Sequence, residues 1–294
     1  MKHISCIIFF FAFLINSSAQ KTDSWPDTKK MNLQGTVSSL QEISYYCKDG
    51  SYKIIPANTD SIQPNCSYYF NRKGNIDSIA NYNIAGKISF IEIFGYNDKE
   101  LLVQKNEIDT NRKLISAQNI QYDKNNYRAK EIYKNSIGEM FQQKIYKYSI
   151  SDSNNYSYSV TAMGANNALQ NEVIFRFRYS PANNLIYKIT EYPRNKATAT
   201  RVKFYYDSSN QVIHKTVETI ARKKIESEQF MEYDNKGNVT KFIETMPRNN
   251  IVYSYEYDSR GNWTKRATKA FVTDKTNGKT TMLYTITLRE YKYY

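Results

Sequence analysis

The chain is short of the residues on which most catalytic and metal chemistry depends. It has two His, at 3 and 214, and three Cys, at 6, 47 and 66. So few ligands and bases exclude most His-based catalysis and Cys-metal centres. No glycine-rich phosphate loop, zinc spacing or nucleophile elbow is present, so no cofactor or metal is expected. No segment keeps apolar residues at helical spacing for three turns. The unbroken apolar run Ile7–Ile15 is nine residues long, too short to span a bilayer as a helix.

What the chain has is length, Tyr and positive charge. Its 294 residues suffice for one large domain or two small ones with a real core. Aromatics make up 15%, and 27 of them are Tyr, a residue that packs well on half-buried strands. Lys and Arg number 41 against 28 acids, a formal charge of +13.

Residues 1–19 read as a secretory signal peptide: Lys2, the apolar run, then the small residues Ser17-Ser18-Ala19. The expectation is an exported chain, periplasmic, secreted or on the cell surface, with no transmembrane segment after cleavage. Residues 20–35 form a polar lead-in. Cys47 and Cys66 would then share an oxidising compartment, where a disulfide between them and two separate buried thiols are both open.

The remainder, 36–294, repeats. Aromatics that precede a turn recur at Phe70, Tyr96, Tyr122, Tyr148, Tyr179, Tyr206, Tyr233 and Tyr257. A second turn lies midway in most units, as at 83–87, 109–112, 135–138, 193–196 and 247–250. Asn, Asp, Gly and Pro supply the backbone geometry of such turns. Between turns the pattern alternates: Tyr253, Tyr255 and Tyr257 share one face, Val252, Ser254 and Glu256 the other. Two turns per unit make each unit a pair of antiparallel strands. The fold class is therefore all-β, a long antiparallel meander of repeated β-hairpins. A flat sheet of so many strands curls or splits. A twisted, curled or spiral sheet is expected, with the anchor aromatics stacked from unit to unit on its concave side.

The units Tyr233-Asp234-x-x-Gly237-Asn238 and Tyr257-Asp258-x-x-Gly261-Asn262 resemble the tyrosine-aspartate (YD, or Rhs-type) repeats of bacterial proteins. Weaker copies stand at Phe70, Tyr122 and Tyr206. The chain is similar to short exported YD-repeat proteins of Bacteroidetes, which open on segments like Met31–Val37 and close on segments like Arg289–Tyr294. Large Rhs proteins wind more repeats into a shell around a toxin. This chain has too few units for such a shell, and neither the self-cleavage region nor the toxin domain, so a toxin role does not transfer.

The recurring acids Asp123, Asp207, Asp234 and Asp258 start turns, where a carboxylate accepts backbone hydrogen bonds. Read instead as a glycosidase pair, two of them would need to lie about 5–10 Å apart. Glu92, Glu131, Glu218 and Glu244 fall within strands, where alternation can point them at solvent. Lys and Arg occur in every unit, as at Arg176/Arg178 and Arg222-Lys223-Lys224, and could form a basic stripe. The expected function is a non-catalytic interaction or envelope protein that binds an acidic polysaccharide or another envelope protein. Nucleic acid is disfavoured for an exported chain. The alternatives are a secreted polymer-degrading enzyme using paired carboxylates and a partner or immunity protein of a secreted toxin.

Overall fold

The computed structural model describes residues 27–48, 51–54, 65–83, 85–150, 152, 154–245, 249–273 and 278–294. The signal segment at 1–19 lies outside these residues. A short helix, α1 (Asp27–Lys30), precedes nineteen strands. They are β1 (Val37–Lys48), β2 (Ser51–Ile54), β3 (Cys66–Phe70), β4 (Ile76–Tyr82), β5 (Ile88–Tyr96) and β6 (Leu102–Ile108). There follow β7 (Leu114–Tyr122), β8 (Arg128–Lys134), β9 (Met140–Ile150), β10 (Asn155–Gly164), β11 (Leu169–Tyr179), β12 (Leu185–Glu191) and β13 (Thr200–Tyr206). The last are β14 (Val212–Thr219), β15 (Lys224–Tyr233), β16 (Val239–Glu244), β17 (Asn249–Tyr257), β18 (Trp263–Thr273) and β19 (Thr280–Tyr293).

The sheet is an antiparallel meander, and it closes. From β3 onward each strand pairs with the next, and β1 pairs with β3 on one side and β19 on the other. Eighteen strands thus form a barrel, with β2 appended to the end of β1. This corrects the expected open, curled or spiral sheet. An open sheet of this size leaves two edges of unpaired backbone groups, and closure removes both. Ten register pairs, from Val37↔Tyr293 to Cys47↔Tyr284, make the seam. Following the pairings once around the wall shifts the register by about 22 residues. Eighteen strands with that shear tilt by roughly 40° and place Cα atoms about 17 Å from the axis. A wall of that radius is too wide for its own side chains to fill.

The loops between strands obey one rule. In the loop Asp234–Asn238 the first N–H donates to the fifth carbonyl (2.9 Å) and the fourth N–H to the first carbonyl (3.1 Å). The first side chain then accepts the N–H groups of Lys236 and Asn238, both at 2.9 Å. The fourth residue, Gly237, has φ +80°. This is a tight turn closed by a bulge, and the bulge shifts the register by one at each such strand end. Loops beginning at Asn71, Asn97, Asp123, Asp207 and Asp258 repeat it at the same end of the barrel, and Asn83, Asp109 and Asn135 at the other. The stretch 163–171 holds a five-residue turn of the same backbone pattern between β10 and β11.

Which face points inward follows from the residues before β1. Thr28 donates to the Gly74 carbonyl (3.0 Å), and the Asn32 amide to the Lys236 carbonyl (3.1 Å). Those loops lie six strand spacings apart along the wall, about 29 Å. Five residues of chain reach both only across the concave side. This segment packs Leu33 against Leu40, Phe70, Tyr291 and Tyr293. That face, which also carries the anchor aromatics, is therefore the inner one.

Candidate functional site

The inner wall begins with the anchor tyrosines. Between units the strand ladders stop two residues short of a strand's first residue: the β14–β15 ladder ends at His214↔Phe230. The Val212 carbonyl beyond it is taken by the Tyr233 hydroxyl (2.8 Å). Tyr96 caps Ile76 (2.8 Å), Tyr122 caps Leu102 (2.9 Å) and Tyr206 caps Leu185 (2.9 Å) in the same way. Tyr255 and Tyr291 continue the series at Val239 and Trp263. A buried carbonyl without a partner is costly, so the position calls for a phenol and not merely a ring. Burial, the main cause, pushes the Tyr206 and Tyr233 hydroxyls up to about 12, which keeps them protonated donors. Phe70 and Tyr179 are buried, and the other six anchors are half-buried. The series lapses where the repeat spacing lengthens: Tyr148 packs on Tyr127 at 4.9 Å, and the Tyr179 hydroxyl sits 3.4 Å from that of Tyr156.

The recurring Asp residues are taken up by their loops. Asp123, Asp207, Asp234 and Asp258 each accept two loop N–H groups. The second oxygen of Asp258 receives the Tyr293 hydroxyl (2.6 Å), and that of Asp234 receives Tyr257. Tyr257 and Tyr293 thus lock the loops that begin at Asp234 and Asp258.

Of the strand acids, Glu92, Glu131 and Glu244 point inward with Glu42 and Glu107, while Glu218 points outward. Alternation did not send the first three to solvent. Glu42 meets Arg289 (2.7 Å), Glu92 meets Lys105 (2.6 Å), and Glu131 meets Arg128 (2.7 Å) and Tyr133 (2.5 Å). Glu244 accepts from Ser227, Gln229 and Asn249. Among the described residues no His, Cys, Asp and Glu cluster could hold a metal. The Cys47–Cys66 bridge is not made. Cys66 is a free, buried thiol opposite Glu42, and Cys47 lies five residues farther along β1, about 16 Å at strand rise.

The outer wall mixes charged and apolar side chains. Its mid-strand positions interleave isolated apolar side chains with cross-strand ion pairs, among them Arg176–Glu191 (3.1 Å), Arg201–Glu218 (3.6 Å) and Lys241–Glu232 (2.7 Å). A lipid-facing wall needs a continuous apolar band. Tyr205, His214 and Phe230 stack face to face on it, with centroids 4.8 and 4.4 Å apart, and so turn ring edges rather than faces to solvent.

The two mouths differ in charge. The loops at the Tyr-Asp end carry six Lys or Arg among the described residues (Arg72, Lys73, Lys99, Lys124, Lys236 and Arg260), against seven acids (Asp98, Glu100, Asp123, Asp152, Asp207, Asp234 and Asp258). At the opposite mouth the described loops carry seven exposed cations, Lys87, Arg112, Lys113, Arg194, Arg222, Lys223 and Lys279, and the exposed Lys224 begins β15. Their described acids are Asp109, which holds its own loop, and Glu139. Lys224 leans on Glu226 at 3.7 Å, while no ion pair among the described residues engages Arg112, Lys113, Arg194, Arg222 or Lys223. The chain positions of these residues are plain, but their gathering at one mouth needs the hairpin order. This basic mouth is the candidate site, and its chemistry is that of an anion-binding ring.

No family model matches the chain, and no curated protein matches it. Among solved structures it is similar to a porin-like protein from Bacteroides uniformis, with 11% identity, a TM-score of 0.46, and coverage of 88% of this chain and 98% of that one. It is also similar to TcdB2-TccC3, with 12% identity and a TM-score of 0.28, over 83% of this chain and 15% of that one. The form of that protein without its hypervariable C-terminal region aligns at 12% identity and a TM-score of 0.19, over 82% and 18%.

Proposed function

We propose that the chain is an exported, non-catalytic interaction protein of the YD-repeat type, and that it binds an acidic polysaccharide at the basic mouth of its barrel. The observation that carries this is the charge asymmetry of the two mouths: among the described loop residues, seven exposed cations against two acids at one, near balance at the other. The cations ride on rigid five-residue turns and short loops, so little freedom is lost when a chain of repeating anions settles on them. Many weak contacts then add along one polymer. Exposed charges are screened over about 8 Å at physiological salt, so binding falls steeply as salt rises.

The test is retention of the protein on immobilised polygalacturonate across a salt gradient, beside a neutral glucan and an assay for cleavage. Retention at low salt is expected, eluting earlier for Arg222→Gln/Lys223→Gln/Lys224→Gln, with no cleavage. Absence of retention at low salt, or equal retention on the neutral glucan, overturns the reading. Cleavage lost on replacing two neighbouring carboxylates replaces it with an enzyme.

A further inference from the structure

Inside the barrel, most inward cations are matched. Lys105, Arg128, Lys144 and Arg289 each meet a carboxylate, and Arg266 lies over Trp263 and Tyr253. Two are not. Lys188 on β12 and Lys215 on β14 point inward, half-buried, and neither has a carboxylate within ion-pair distance.

The Lys188 ammonium stands 4.7 Å from the centre of the Phe175 ring and 5.9 Å from that of Phe177. Lys188 pairs with Val202, and Lys215 with Phe204 two residues along the same strand. The two lysines are therefore two strands apart, about 12 Å between Cα atoms, within joint reach of one ligand. Burial depresses both ammonium groups below the ordinary lysine value, and Glu244 partly opposes this at Lys215. A half-buried cation with no carboxylate partner gains from a nearby anion, so an anion arriving between them is favoured. Lys188 lies beside the unit where the anchor spacing lengthens and the phenol series lapses. The same strands end in the densest part of the basic mouth: Arg194 follows β12, and Arg222, Lys223 and Lys224 follow β14. Cations thus run from the mouth into the lumen along one strip of wall.

We infer that the end of the acidic polysaccharide enters the lumen at this strip, and that Lys188 and Lys215 hold the carboxylate of one uronic acid unit against the Phe175/Phe177 wall. This rests on the function proposed above and names the unit recognised. The experiment uses the full exported chain and hexagalacturonate in titration calorimetry, with maltohexaose and hexametaphosphate as comparison ligands. Lys188→Met/Lys215→Met keeps the side-chain length and removes the charge. It is expected to weaken hexagalacturonate at least tenfold while retention on the immobilised polymer persists through the mouth. Lys188→Arg/Lys215→Arg is expected to keep the affinity within threefold, which separates lost charge from lost packing. Unchanged hexamer affinity in the Met variant, with wild-type retention intact, overturns the lumen subsite and leaves the function standing. Loss of wild-type retention on the polymer overturns both. Equal affinity for maltohexaose, or tighter binding of hexametaphosphate, overturns the choice of a uronic acid.

Discussion

Removing one side of the Glu42–Arg289 pair should open the barrel at its seam. The two residues stand directly opposite each other in the β1–β19 register, with Nε 2.7 Å from Oε2 and both side chains 3% exposed. The guanidinium also lies 3.7 Å above the Trp263 ring. Arg289→Met leaves a buried carboxylate, and Glu42→Gln leaves a buried guanidinium with only a neutral acceptor. Each should lower stability by about 3–5 kcal/mol, the range for breaking a buried pair from one side. The double variant Glu42→Leu/Arg289→Met removes both charges and should recover most of the loss. Urea unfolding followed by Tyr and Trp fluorescence gives the four stabilities. Hydrogen exchange should show the single variants losing protection first in Val37–Lys48 and Thr280–Tyr293. Single variants within about 1 kcal/mol of wild type, or a double variant as unstable as the sum of the singles, would refute the seam as a charge-locked closure.

Three further outcomes follow from the inner wall and the loops. Tyr233→Phe deletes only the hydroxyl on the Val212 carbonyl and should cost about 1 kcal/mol, while Tyr233→Ala also deletes the ring and should cost about 3 kcal/mol; equal costs in urea unfolding would remove the hydroxyl's capping role. Burial alone would raise the Asp234 and Asp258 carboxyls, but hydrogen bonds from Tyr257, Tyr293 and loop N–H groups outweigh it and hold both below the ordinary Asp value. A depressed folded value contributes stability that is complete above the unfolded value of about 4 and lost as pH falls through the folded one. The urea midpoint should therefore decline below pH 4, and less steeply in Asp234→Asn/Asp258→Asn; identical profiles would contradict the loop-locking role. Burial, reinforced by Glu42, pushes the Cys66 thiol up to about 12. With Cys6 and Cys47 replaced by Ser, Cys66 should react with a disulfide reagent at pH 8 only after unfolding, and rapid labelling of the native protein would disprove its burial.

Strand identity, hairpin order and the turn positions were legible in the chain because each depends on neighbours a few residues apart. Alternation at Tyr253, Tyr255 and Tyr257 sets one face, and an Asp or Asn three residues before a positive-φ residue sets a loop. Why the anchors are Tyr was not legible. It depends on where the ladder between units stops, and that is a property of paired strands. The inward turn of Glu92, Glu131 and Glu244 was missed for a related reason. Alternation separates two faces but does not say which is concave.

The repeat by itself determined an all-β meander, its unit length and the chemistry of its turns, because local backbone preference and side-chain alternation suffice for these. Closure was decided only in three dimensions. It requires β1 to meet β19 across some 250 residues of sequence, and the match depends on stagger summed over every bulge in the wall. The same closure bends the end that carries Arg112, Arg194 and Arg222 into a ring and makes the face that carries Lys188 and Lys215 the wall of a lumen. Charge was visible in the chain, and hairpin order already puts these loops at one end of the sheet; closure makes that end a mouth and the concave face a lumen.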